Sequence, residues 1–265
     1  SAKHMKNRRI IFLAACMCSV VFLSGCSTDS LMDKMMGTET TVSSSASVDI
    51  SKEDSDAVHV DANLEKPVFS VNPVESLQIP VGNTSGKLTC EAGITGEGTV
   101  TYQWYKNNVN SNGGGTPIEG ATEVTYQVDT SAEGKDYYYV VATNTVGNTV
   151  SMATSTVTEV TVIPAGKWVQ NENGWQYQNN DGSYATNTWQ NIDGYWYVFD
   201  ENSYMVTGWY WSGEEWYYLA DNGQMQTGWF TQDGEEYYLD PDTGVMARNT
   251  TIDGHEMNSS GVKVS

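Results

Sequence analysis

The chain has 265 residues, 39% of them hydrophobic and 17% charged, with 13 Lys and Arg against 33 Asp and Glu and a net charge of −20. Beyond residue 26 the imbalance deepens to nine basic residues against 33 acidic ones. So acidic a body repels nucleic acid, whose phosphates need basic patches, and it suits an anionic membrane surface poorly. Cationic ligands remain attractive partners.

Three of the four cysteines (Cys16, Cys18, Cys26) lie in the first 26 residues, and Cys90 stands alone in the body. There is neither a disulfide framework nor a CxxC pair for a metal.

Ser1 to His4 precede the first methionine, Met5, and are set aside. Lys6-Asn7-Arg8-Arg9 is basic, and Ile10 to Gly25 runs for sixteen residues without a charge. That is short for a membrane span, which needs about 20 apolar residues, and has the n-region and h-region of a secretory signal. Its close, Leu23-Ser24-Gly25-Cys26, resembles the lipobox of bacterial lipoproteins. The resemblance implies cleavage before Cys26, diacylglycerol on its sulfur, and the extracellular face of a bacterial membrane as the location. Two lipid chains suffice for stable anchoring. From residue 26 to 66 the chain is rich in Ser, Thr, Asp and Glu with no sustained apolar period. Such a composition buries too little apolar surface to offset chain entropy, so a disordered tether is expected.

Residues 67–164 change character. Short β-branched and aromatic runs alternate with Gly, Asn and Ser turns, among them Lys87 to Cys90, Thr99 to Lys106 and Tyr137 to Ala142. Regular short strands of this kind predict a β-sandwich. Cys90, Trp104 fourteen residues later, and Tyr138-Tyr139-Val140-Val141-Ala142-Thr143-Asn144 resemble the immunoglobulin-like family. Val140 stands at the second cysteine position, so the family's inter-sheet disulfide is absent. Cys90 is then expected to be a buried, inert thiol against Trp104, with Tyr138 at the tyrosine corner. Function does not follow from such a fold. A spacer role is expected, with adhesion to a protein partner through the loops as the alternative.

Residues 165–265 are organised by repetition. Thr-Gly-Trp occurs at 207–209 and again at 227–229, and leading tryptophans stand at Trp168, Trp189, Trp209 and Trp229, spaced 21, 20 and 20. A second tryptophan follows seven residues later in three units (Trp175, Trp196, Trp216), where the fourth has Glu236. Turns follow at Asp181-Gly182, Glu201-Asn202, Asn222-Gly223 and Thr243-Gly244, and the last piece, from Thr250, is poor in aromatics, as expected of a cap. One β-hairpin per unit is expected, and since a lone hairpin is marginal in water, neighbours must stack. The fold class is therefore all-β: a sandwich followed by a hairpin solenoid.

Gly208 to Trp229 resembles the choline-binding, or cell-wall-binding, repeats of bacterial surface proteins. The resemblance implies a ligand held between consecutive repeats by aromatics from both. Carried across residue by residue, it puts Trp189, Trp196 and Tyr218 with Met225 between units two and three, and Trp209, Trp216 and Tyr238 with Met246 between units three and four. Between units one and two, Trp168 and Trp175 would meet Val198, which has no π-face. Between units four and five, Trp229 would meet Glu236 and no aromatic. Two working sites and two defective ones are expected.

The chemistry agrees independently. A quaternary ammonium donates no hydrogen bond and is held by the π-faces of Trp and Tyr, at about 0.5–2 kcal/mol per contact. Residues 166–265 add 15 acidic side chains against three basic ones, a long-range pull on cations. Stacked aromatics also serve glycans, or act purely as core, and both alternatives stay open. The expected partner is choline-bearing teichoic acid or another cell-wall or surface polysaccharide.

Catalytic constellations are not apparent: His59 falls in the tether, His255 in the last unit, and Cys90 has no basic partner. Glu214-Glu215 and Glu235-Glu236 occupy equivalent turns. Asp240-Pro241-Asp242-Thr243-Gly244 lacks the ligand spacing of a calcium loop. No enzyme, cofactor or metal is expected.

Overall fold

The computed structural model describes residues 57–265, and among these every regular element is a β-strand. The secretion signal, the Cys26 lipidation motif and most of the tether lie outside the described residues.

Eleven strands build the first part: β1 His59–Val60, β2 Val68–Val71, β3 Ser76–Pro80, β4 Lys87–Thr89, β5 Glu91–Gly93, β6 Thr99–Asn107, β7 Thr116–Pro117, β8 Thr125–Gln127, β9 Gly134–Val146, β10 Thr149–Thr154 and β11 Thr158–Ile163. A seven-stranded sheet runs β1-β10-β9-β11-β3, with β6 on β9 and β7 on β6. Two-stranded sheets β2-β5 and β4-β8 accompany it. Alternation along β6 and β9 sends Trp104 and Val140, which are register partners, into the core with Leu88, Cys90, Tyr138 and Val160. Trp104 is wholly buried, and its indole N–H donates to the Glu123 carbonyl at 2.8 Å, so no polar group is stranded. Burial pushes the Cys90 thiol up to about 11, which makes it inert at neutral pH.

Among the described residues, regular structure begins within the stretch that composition assigns to the tether. His59 and Val60, assigned above to the tether, pair in parallel with Thr149 and Val150. Glu65 accepts hydrogen bonds from the Thr95 and Gly96 amides, each at 2.8 Å, and these hold its carboxylate below its ordinary range. A two-residue strand and one carboxylate carry no periodic signal, which is why a pattern reading misses them.

The second part is a series of five hairpins: β12 Lys167–Asn171 with β13 Gly174–Gln178, β14 Thr188–Ile192 with β15 Tyr195–Phe199, β16 Gly208–Trp211 with β17 Trp216–Leu219, β18 Gly228–Gln232 with β19 Glu235–Leu239, and β20 Thr250–Ile252 with β21 His255–Met257. Three of the tips are Asp-Gly pairs with both residues at positive φ (Asp193 51° and Gly194 86°, Asp233 50° and Gly234 80°, Asp253 50° and Gly254 81°). Only that conformation matches the twist of the flanking strands in a two-residue loop. After each of the last four hairpins the chain doubles back, and one amide reaches the preceding hairpin: Met205 to the Trp175 carbonyl, Met225 to Trp196, Met246 to Trp216 and Lys263 to Glu236, at 2.8–2.9 Å. Each methionine then packs beneath the turn glycine of the next unit: Met205 under Gly223, Met225 under Gly244 and Met246 under Gly261.

The second hairpin docks on the first part. Gly194 N–H donates to the Gly82 carbonyl at 3.1 Å, and the Thr84 amide donates to Oδ1 of the buried Asn191 at 2.9 Å.

Candidate functional site

In a two-stranded hairpin the two faces are set by alternation. In the third unit Trp209, Trp211, Trp216 and Tyr218 share one face, because Trp209 pairs with Tyr218 and Trp211 with Trp216 across the hairpin. Tyr210 and Tyr217 point the other way and are also cross-strand partners. The first face looks toward the following hairpin and the second toward the preceding one.

This fixes which rings meet. Trp168 lies 4.9 Å from Tyr197, Trp189 4.9 Å from Tyr217, and Trp209 4.9 Å from Tyr237, all centroid to centroid and steeply inclined. One contact geometry is thus repeated at three interfaces. At two of them the second tryptophan adds a perpendicular wall: Trp168–Trp175 at 6.3 Å and Trp209–Trp216 at 6.4 Å, both with planes at 89°. Two tryptophan planes at a right angle and a tyrosine from the next hairpin thus converge edge to face on one corner. Trp175 is 40% exposed, so the corner is open to solvent.

Several sequence-based expectations change by one residue. Tyr218 does not close the site around Trp189 and Trp196; it stands across its own hairpin from Trp209, at 5.1 Å. Tyr238 likewise pairs with Trp229 at 5.0 Å rather than facing Trp209. The tyrosines that face the preceding hairpin are Tyr217 and Tyr237. Burial and the nearby Glu215 and Glu214 carboxylates raise the Tyr217 hydroxyl above its ordinary pKa, so it is neutral and keeps an intact aromatic face. Trp196 and Met225 are joined through the backbone at 2.9 Å, and Trp216 and Met246 at 2.8 Å, so both methionines sit at the expected interfaces. Their thioethers, however, pack under the following turn glycines.

The interface judged defective between units one and two is not short of rings. Val198 is buried on the far face of its strand, as the register partner of Trp189. Trp168 instead meets Tyr197 and Phe199. Between units four and five Trp229 meets His255 edge-on at 5.7 Å, an imidazole where the other interfaces have tyrosine.

Two of the three basic side chains in residues 166–265 lie on tryptophan faces. The Arg248 guanidinium stands 5.5 Å over Trp211, and the Lys263 ammonium 5.8 Å over Trp229. Arg248 also reaches Glu215 at 3.6 Å and Lys263 reaches Glu236 at 2.6 Å. A cation on an indole face with a carboxylate close by is therefore an arrangement the module itself displays. The Asp240 segment is a turn: its carboxylate accepts the Asp242 and Thr243 amides at 2.9 and 2.8 Å.

Among solved structures, the chain is similar to the Cp-1 phage endolysin complexed with choline (38% identity over 34% of this chain and 29% of that one, TM-score 0.30). It is also similar to the choline-binding domain of Spr1274 from Streptococcus pneumoniae (38% identity, 29% of this chain, 93% of that one, TM-score 0.28) and to choline-binding protein F from Streptococcus pneumoniae (23%, 62% and 70%, TM-score 0.29). The chain thus spans less than a third of the length of the endolysin. No curated protein matches it. Residues 185–225 and 206–250 match the family model of the choline-binding repeat, and this stretch of the chain carries choline-binding repeats.

Proposed function

We propose that the hairpin module binds choline-type quaternary ammonium groups on cell-wall or surface polymers, with the ligand held in the aromatic corners between consecutive hairpins. The observation that carries this reading is the repeated corner of Trp168, Trp175 and Tyr197, and of Trp209, Trp216 and Tyr237. At the interface between them Trp189 meets Tyr217 at 4.9 Å, and Trp196 is the tryptophan of the same hairpin that would complete a third site. Three π-contacts of about 1–1.5 kcal/mol each reach about 4 kcal/mol, the free energy of a roughly millimolar dissociation constant. Such single-site affinity suits a polymer bearing many choline groups, because several corners on one module engage it together.

The role is binding rather than catalysis. The sandwich is read as an immunoglobulin-like spacer, supported by Cys90, Trp104 and Val140 converging in one core. Cys26 is read as the lipid attachment point that holds the protein at the bacterial cell surface. The alternative ligand, a glycan stacked on the same tryptophan faces with flanking Asn, Asp and Gln for its hydroxyls, is separated from choline by titration.

Titrating the full chain with choline and following tryptophan fluorescence tests the reading: a saturable change at millimolar concentration is expected. No response to choline, alongside a response to a soluble glucan, would overturn it.

A further inference from the structure

The interface between the fourth and fifth hairpins departs from the other three at two positions together. Lys263 stands where Met205, Met225 and Met246 stand in the earlier units. Its amide donates to the carbonyl of the preceding hairpin at 2.8 Å, as the Met246 amide does, and it bridges Met257 as Met246 bridges Leu239. Glu236 stands where Trp175, Trp196 and Trp216 stand, and it is the residue whose carbonyl receives that amide. A hydrophobic wall has become a carboxylate and a thioether has become an ammonium. The two are joined at 2.6 Å with the ammonium 5.8 Å over Trp229. His255, edge-on to the same indole, completes the surroundings.

We infer that this interface is a cation box filled by the chain's own Lys263 ammonium, and that it is thereby closed to external quaternary ammonium ligands. The lysine backbone is pinned by its hydrogen bond, so its side chain is presented to Trp229 at a high effective concentration. A tethered group of this kind competes with free ligand at millimolar strength or above. A primary ammonium is more strongly hydrated than a quaternary one and so is a weaker partner for a ring alone. The Glu236 carboxylate compensates by accepting its hydrogen bond, a partner that a quaternary ammonium could not use in that way. Closure at Lys263 rests on the choline reading for its consequence, but not for its geometry.

Two measurements on the full chain test it. Calorimetric titration with choline is expected to give one more binding equivalent in Lys263→Met, which installs the residue of the earlier units, than in the wild type. Lys263→Arg, which keeps a cation, is expected to give no extra equivalent. By NMR, the Lys263 ε-methylene protons are expected to be shifted upfield by the Trp229 ring current and to return to ordinary values in Trp229→Leu. Where the wild type binds choline, an unchanged number of equivalents in Lys263→Met overturns the inference; ε-methylene protons at ordinary values in the wild type overturn it in every case. A wild type that binds no choline but shows the ring-current shift would sink the proposed function and leave the self-filled box standing.

Discussion

The first, eleven-stranded part and the hairpin module use the same residue types to opposite ends. In the first part, alternation along β6 and β9 puts Trp104 at 0% exposure within a closed core. In the module each hairpin has only a predecessor and a successor to cover it, and Trp175, Trp211 and Trp229 remain 40%, 41% and 37% exposed. A closed core consumes its aromatic faces in packing. A stack of two-stranded hairpins leaves some of them over, and those are the faces on which Arg248 and Lys263 lie.

The comparison breaks most visibly at Trp104. Trp104→Ala removes a fully buried indole and leaves the Glu123 carbonyl without its donor, so a loss of about 3–5 kcal/mol is expected in denaturant unfolding. No half-exposed tryptophan of the module should approach that cost.

Within the module the sensitive positions are turn glycines rather than rings. Gly223 has φ +85°, and a Cβ there would run into the Met205 thioether, whereas Gly182, at φ +87°, has open space around it. Gly182→Ala should cost only the left-handed strain, about 1–2 kcal/mol. Gly223→Ala should add an overpacking penalty of about 1–3 kcal/mol. Equal thermal shifts in the two variants would show that methionine does not key one unit to the next.

The first part has a pH signature of its own. The Cys90 thiol is raised from 9.0 to about 11 by burial, so its neutral form is favoured in the folded state. That contribution is fully present below pH 9 and is lost as pH rises through 11. At pH 10 the loss is about 1.4 kcal/mol, from 1.36 kcal/mol per pKa unit. Cys90→Ala is expected to have a shallower decline in stability between pH 9 and 11 than the wild type, measured by urea unfolding at each pH. Parallel profiles would refute this. The tyrosines ionise in both proteins, so only the difference between the curves is informative.

The two regions were not equally legible from sequence. The core of the first part announces itself because Trp104, Tyr138 and Val140 sit at alternating positions of β6 and β9, with Cys90 between β4 and β5. The short strands escape, among them His59–Val60, Ser76–Pro80 and Glu91–Gly93, being too brief to show a period. The module's repeats, turns and all-β character were equally readable, since they rest on spacing. The ring partners were not. In Trp216-Tyr217-Tyr218 both tyrosines have the same chemistry, and which one faces the preceding hairpin depends on the stacking direction, which no periodicity encodes. A shift of one residue changes the face, and so Tyr218 and Tyr238 were expected where Tyr217 and Tyr237 stand. The absence of a ring at Val198 misled for the same reason, because Tyr197 beside it does the facing.

That one-residue difference yields the subtlest prediction. Tyr237 lies 4.9 Å from Trp209 and forms the third wall of the corner with Trp216, while Tyr238 lies 5.0 Å from Trp229 on the opposite face. Replacing either by leucine removes the same ring from adjacent positions of one strand, so differences in composition and propensity cancel. Tyr237→Leu is expected to lose one cation–π contact in the corner, about 0.5–1.4 kcal/mol, or roughly a two- to tenfold weaker choline site. Tyr238→Leu should leave that site within error of the wild type, because its ring belongs to the interface that Lys263 already fills. Calorimetric titration of the two variants side by side decides it. Weakening in Tyr238→Leu alone would reverse the assignment of faces, and with it the stacking direction that places every corner in the module.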